Sequence, residues 1–223
     1  MAKQFVVIGL GRFGSSVAET LYSLGHDVLA IDEDERLVQE VADKVTHAVH
    51  MDATDDQALN AMGIRNFDVG VVSIGSDMQA SILVTLLLKE AGIQHIVCKG
   101  QSELHRKVLL KVGADRVVLP EKDMGERVAQ NLSSPNLLES IDLSDEYQII
   151  EINAPSKWVG KSITDLQIRE KYGVNILALR LASGKLDLFP DPTLKLPEGS
   201  IIVAIADNRD FKKLERLVLA DEN

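Results

Sequence analysis

The chain has 223 residues, 45% of them apolar and 26% charged, with a formal net charge of −10. Length and composition describe one large or two small packed domains, and the charge argues against nucleic acid as the main partner, because phosphate backbones need a basic face. Aromatics at 4% leave no stacking surface for single strands, and the single cysteine, Cys98, excludes an internal disulfide.

Apolar runs and helical periods alternate from the start. Strands are expected at 3–8, 27–31, 46–50, 68–74, 94–98 and 115–118. Helices are expected at 12–24, 34–43, 55–62, 77–91 and 101–112, with a further one at 121–132. This alternation implies an α/β fold, a doubly wound parallel sheet covered on both faces. The longest strongly apolar run, SILVTLLL at 81–88, is far short of the roughly 20 residues that span a bilayer. Lys3 leads straight into a strand with no signal-peptide pattern, so a cytoplasmic protein is expected, one that reaches a membrane only through an embedded partner.

The pattern changes at SSPNLLESIDLSDE (133–146), where Ser-Ser-Pro stops the helix and a short helix is expected at 135–140. Beyond it come a strand at 147–152, a helix at 162–171, strands at 174–181, 185–189 and 200–205, and a helix at 207–219. The expected organisation is a nucleotide-binding domain at 1–134, a helical linker at 135–144 and a small α+β domain at 145–223. A core this small is near the limit for independent stability, so self-association through it is expected.

FVVIGLGRFGSSVAE (5–19) sets Gly9, Gly11 and Gly14 as G-x-G-x-x-G between a strand and a helix. The first glycine permits the tight turn, the second lets backbone approach a diphosphate, and the third lets helix pack on strand. The unpaired N–H groups and dipole of the helix start attract an anion. Arg12 opposes that dipole, a cost that an anionic ligand offsets, although a solvent-facing first-turn residue is the simpler alternative. Phe13 completes the candidate cofactor-binding set in this loop. Asp32 ends the second strand, where a carboxylate accepts a ribose hydroxyl, and the acids Glu33, Asp34 and Glu35 after it repel a 2′-phosphate and count against NADP.

Three more segments fall at strand ends, the ligand side of a doubly wound sheet: MDAT (51–54), SIGSD (73–77) and CKGQ (98–101). Asp52 and Thr54 either cap the next helix or bond an adenine or ribose edge. Gly75 allows close backbone approach, and Lys99 can balance phosphate charge. Glu121, in LPEKDMG (119–125), is either a first-turn acid or, beside a polyphosphate, a ligand of bridging Mg²⁺ or Ca²⁺. No proton shuttle or nucleophile pattern is present, and His47 and His50 lie on opposite faces of their strand. A non-enzymatic nucleotide-binding protein is therefore expected, with an NAD-dependent oxidoreductase or NAD-sensing module as the alternative.

With these motifs in place, the chain resembles the RCK (regulator of potassium conductance), or TrkA, family of bacterial potassium-uptake regulators in its Ktr-type branch. The stretches that carry the resemblance are FVVIGLGRFGSSVAETLYSLGHDVLAID, IRNFD, QASILVTLLLKE, KVLLKVGADRVVLPEKDMG, IDLSDEY and LQIREKYGVNILALR, and together they span nearly the whole chain. The resemblance implies a Rossmann-like TrkA-N domain and a small TrkA-C (RCK_C) domain. It also implies homodimers assembled into a cytosolic gating ring, often an octamer, beneath a separate membrane-embedded potassium-translocating subunit. ATP would favour the active ring and ADP an inactive one. Carried onto this chain, Gly9, Gly11 and Gly14 would hold the phosphates, Arg12 the terminal phosphate and Asp32 the ribose. Asp52 and Thr54 would lie near the base, Lys99 would line the site, and Glu121 would hold the divalent cation between paired nucleotides. Met51 stands where relatives often have glycine. Several relatives also resemble receptors for cyclic di-AMP, bound across a dimer interface. The matching stretches here are SITDLQIREKYGVNILALR (162–180) and FPDP (189–192). Arg169 would be the phosphate ligand, Asn175 a hydrogen-bonding neighbour, and Ile163, Ile168 and Ile176 apolar walls. The same stretch also reads as a dimer-packing helix and strand.

Overall fold

A computed structural model describes residues 2–133, 137–144 and 146–219, which form two compact units, up to Met124 and from Gly125 onward. In the first unit the apolar runs become β1 (Gln4–Ile8), β2 (Asp27–Asp32), β3 (His47–His50), β4 (Val69–Val72), β5 (His95–Lys99) and β6 (Arg116–Val118). They pair in the order β3-β2-β1-β4-β5-β6, every pair parallel. Helices α1 (Arg12–Ser23), α2 (Glu35–Val41), α3 (Asp56–Ala61), α4 (Met78–Glu90) and α5 (Glu103–Val112) carry the crossovers, and α6 (Pro120–Ser133) follows β6. This is the expected Rossmann-like sheet.

Side-chain alternation along the strands builds two cores. Val6 and Ile8 of β1, with Leu29 and Ile31 of β2, pack with Val84 and Leu88 of α4 and Leu109 of α5. Val7, Val28 and Ala30 pack instead with Ala18 of α1 and with Val38 and Val41 of α2. Each fully buried aliphatic side chain contributes about 1.5–3 kcal/mol, so the two clusters hold the sheet between its helices. Asp34, Asp55, Asp77 and Ser102 accept backbone N–H bonds at the starts of α2, α3, α4 and α5. These caps set the helix starts beside the carboxyl ends of the strands. The strand order reverses between β1 and β4, the switch point at which such sheets open a crevice.

The second unit is an antiparallel sheet in the order β10-β9-β11-β8-β7, made of β7 (Leu137–Asp142), β8 (Tyr147–Asn153), β9 (Asn175–Arg180), β10 (Leu186–Asp187) and β11 (Ile201–Asp207). Helices α7 (Ile163–Leu166), α8 (Ile168–Tyr172) and α9 (Asn208–Leu219) complete it. Ile150, Ile152, Ile202 and Ala204 pack with Trp158, Leu166, Ile168 and Leu214 as its core. The Trp158 ring sits 5.6 Å from that of Tyr172. This is the expected small α+β domain.

Three expected elements are corrected. The short helix at 135–140 is not formed over its described part: residues 137–140 belong to β7, antiparallel to β8, so the linker is a strand over 137–142. Residues 135 and 136 lie outside the described residues. A helix this short makes few internal bonds for its nucleation cost, whereas the edge of β8 offers a ladder and buries Leu137. The helix at 162–171 is broken at Gln167, which takes a left-handed conformation at φ 49° between α7 and α8. Leu166 and Ile168 are both buried, and residues two apart do not share a helix face, so a break lets both reach the core. The strand at 185–189 shortens to Leu186–Asp187, because the Asp187 carboxylate accepts the Phe189 N–H and turns the chain.

His105 of α5 is fully buried, and its Nδ1 accepts the Gln101 N–H at 3.3 Å. Burial pulls its pKa below the ordinary histidine range. As pH falls through about 6.5, the unfolded chain takes up a proton that the native imidazole resists, so this contribution to stability is full above that pH and is lost below it. His105→Leu should flatten the fall in melting temperature between pH 7.5 and 5.5. Thermal melts that keep the wild-type slope would show that another group sets it.

Candidate functional site

The carboxyl ends of β1, β2, β4 and β5, with the heads of α1 and α6, line a cleft of about 950 Å³. Gly9 turns the chain at φ 91°, and a Cβ there would stand 2.8 Å from the Ser73 carbonyl carbon. A Cβ on Gly14 would collide with the Gly9 carbonyl oxygen. Packing of the chain on itself therefore accounts for both glycines. Gly11 differs, because a Cβ there meets nothing within 4 Å. Its bare backbone faces open cleft, as close approach by a phosphate requires. Gly11 is also the cap of α1, with no side-chain bond to the helix start and no acid in the first turn. The N–H groups there remain free to meet an anion.

Asp32 ties this loop to β2. Its Oδ2 accepts the Leu10 N–H at 2.5 Å and its Oδ1 accepts the Asp34 N–H at 2.8 Å. Each oxygen keeps a further lone pair, so the carboxylate can hold the loop and accept a sugar hydroxyl together. Lys99, at the end of β5, donates to Glu121 Oε1 at 2.6 Å. That bond, helped by Glu121's own backbone N–H and by the Arg12 charge, holds the Glu121 carboxyl below the ordinary range. The Gly75 carbonyl accepts from Gln101 Nε2 at 2.8 Å.

Asp52 Oδ1 accepts both the Thr54 N–H, at 2.8 Å, and the Thr54 hydroxyl, at 2.7 Å, and these bonds lower its pKa. The pair closes a turn and does not cap the next helix: Asp55 does so, accepting from the Gln57 and Ala58 N–H groups. Gly9, Gly11, Arg12, Phe13, Asp32, Asp52, Thr54, Gly75, Lys99 and Glu121 all line the one cleft, and Gly14 lies under its loop. Ser73 was not singled out from sequence, and its only signal was its place in SIGSD at the end of β4. It lines the cleft with a buried Oγ that has no hydrogen-bond partner among the described residues. A ligand or bridging water would satisfy that hydroxyl. Among the described residues no three His, Cys, Asp or Glu side chains converge to hold a metal. Glu121, already bonded to Lys99, belongs to no such group, which suits a cation shared with other ligands and not one caged by this chain.

In the second unit, Ile163, Ile168, Arg169, Asn175 and Ile176 line one groove of about 380 Å³ with Phe189 and Pro192. The Thr164 N–H and hydroxyl both donate to the Pro192 carbonyl, at 3.0 and 2.9 Å, and pin the proline loop beside α7. Phe189, 91% exposed, forms the outer lip.

Residues 5–120 match the TrkA-N domain family and residues 147–219 the TrkA-C domain family. The chain is 49% identical over 213 residues to Ktr system potassium uptake protein A of Bacillus subtilis, covering 96% of each. It is 44% identical over 219 residues to Ktr system potassium uptake protein C of the same organism, covering 98% of this chain and 99% of that one. Among solved structures it is similar in fold to the GsuK RCK domain, with a TM-score of 0.67 at 19% identity. That match spans 98% of this chain and about half, 48%, of that one. No described helix is long and apolar enough to cross a membrane.

The contrast between the glycines is testable by thermal melts and ligand titration. Gly14→Ala should cost about 2–4 kcal/mol of stability, because rigid backbone must shift. Gly11→Ala should cost about 1 kcal/mol or less and still weaken nucleotide binding. Equal stability losses in the two variants would remove the distinction.

Proposed function

This chain belongs to the RCK (TrkA-N and TrkA-C) family of regulatory subunits of Ktr-type potassium transporters, and from that premise we propose that it reads adenine nucleotides in its first unit. The observation that carries the reading is the open backbone at Gly11 beside Arg12, a cradle that the chain's own packing does not require. Phosphates lie on the loop and the head of α1, the terminal phosphate meets Arg12, the ribose meets Asp32, and the base lies near Asp52 and Thr54. ATP and ADP differ by one phosphate, so charge-assisted bonds from Arg12 distinguish them. Glu121 is the carboxylate toward Mg²⁺ or Ca²⁺, whose chemistry when bound is to neutralise phosphate charge.

The chain's relatives are potassium uptake proteins, which supports a site that reads a nucleotide without reacting it. The output is conformational. Coupling of about 1–3 kcal/mol per site, summed around a homodimer-based ring of octameric size, suffices to shift a membrane-embedded potassium-translocating subunit between states. In this reading the protein works at the cytoplasmic face of the membrane, with ATP activating and ADP inactivating. The second groove offers Arg169 and Asn175 between isoleucine walls, a chemistry suited to a cyclic dinucleotide such as cyclic di-AMP.

Calorimetry with ATP and ADP tests the reading. Arg12→Ala should weaken ATP roughly tenfold more than ADP, since a charge-assisted bond to the last phosphate is worth about 1.5 kcal/mol, while circular dichroism stays unchanged. An affinity ratio that survives the substitution overturns the role given to Arg12.

A further inference from the structure

The nucleotide cleft is poor in positive charge. Two cations, Arg12 and Lys99, face six carboxylates, five of which are Asp32, Glu33, Asp34, Asp52 and Asp77. The sixth is Glu121, and it engages one of the two cations. Its Oε1 lies 2.6 Å from Lys99 Nζ. The lysine side chain is 17% exposed and the glutamate side chain 74% exposed, so the cation is confined and the carboxylate is the partner free to swing away. Glu121 also lies within the influence of Arg12, so its carboxylate stands among the positive charges that a terminal phosphate would seek.

We propose that Glu121 is an internal counter-anion that holds Lys99 in the nucleotide-free cleft, and that the terminal phosphate of a nucleotide must displace it. This inference rests on the adenine-nucleotide reading above and adds a rule of competition to it. A nucleoside without phosphates leaves the pair intact. A diphosphate challenges it, and a triphosphate brings the most negative charge beside the displaced carboxylate. Glu121 thus opposes polyphosphate binding whenever no divalent cation is present to screen the two anions, and its opposition grows with phosphate number. The same carboxylate that favours a cation when one is present makes a cation-free complex less stable.

Calorimetric titrations of the full chain in EDTA with ATP, ADP and adenosine test this exchange. Glu121→Gln should tighten ATP roughly twofold to fivefold, the range expected for an ion pair with one exposed partner, tighten ADP less, and leave adenosine unchanged. Glu33→Gln removes an equal charge from the same cleft without touching the Lys99 pair, and should give the smaller gain of charge removal alone. ATP binding by Glu121→Gln that is no tighter than wild type, or no tighter than in Glu33→Gln, overturns the exchange. Wild-type protein that binds none of the three ligands, with or without Mg²⁺, overturns the nucleotide reading itself and this inference with it. Glu121 is exposed, and a melt matching wild type verifies that its variant is folded.

Discussion

The close passage of α1 over the ends of β1 and β4 is the constraint on which the ligand-facing end of the sheet depends. Gly14 lies against the Gly9 carbonyl, and Gly9 lies against the Ser73 backbone. Neither position tolerates a Cβ without moving main chain. Once the helix is seated this closely, its N-terminal N–H groups point across the switch point of the sheet. Asp32 then locks the loop from the other side, through Leu10 and Asp34. The anion cradle follows from packing, before any ligand is present, which is how a site can bind phosphate on a chain with a net charge of −10.

That net charge gives the cleft its character. A strongly basic site would hold ATP and ADP through their overall charge and would discriminate weakly between them. Here the positive groups are few and the carboxylates many, so binding depends on local geometry: free N–H groups, Arg12 and a lysine that Glu121 already engages. In the proposed reading, a site so balanced would respond to the addition of one phosphate or one divalent cation. Such sensitivity suits a regulatory subunit better than tight, indifferent binding does.

Legibility varied with the range of the interactions. The parallel sheet, its crossover helices and its glycine loop were readable because strand and helix periods and G-x-G-x-x-G are local patterns. The ten cleft residues named from the sequence line one cavity because each sits at the end of a strand or the start of a helix, and a doubly wound sheet gathers those ends. Local reading failed where the surroundings decided the outcome. LLESID is short enough for either state, and the neighbouring edge of β8 made it a strand. Gln167 carries no glycine-like signal for a left-handed turn, and the need to bury both Leu166 and Ile168 imposed one. Ser73 escaped notice because a serine at a strand end is ordinary until its hydroxyl is found buried without a partner.

By itself the sequence determined the order and type of most elements, the positions of the three loop glycines, the scarcity of positive charge and the family. These are properties of neighbouring residues or of composition. Only the tertiary structure decided what those glycines meet: the Ser73 backbone at Gly9, the Gly9 carbonyl at Gly14 and open space at Gly11. It also brought Lys99 to Glu121 across 22 residues, by pairing β5 with β6 and starting α6 at the cleft. Which side chains meet depends on strand order and register, and both are set by the collective burial of two cores and not by any one segment.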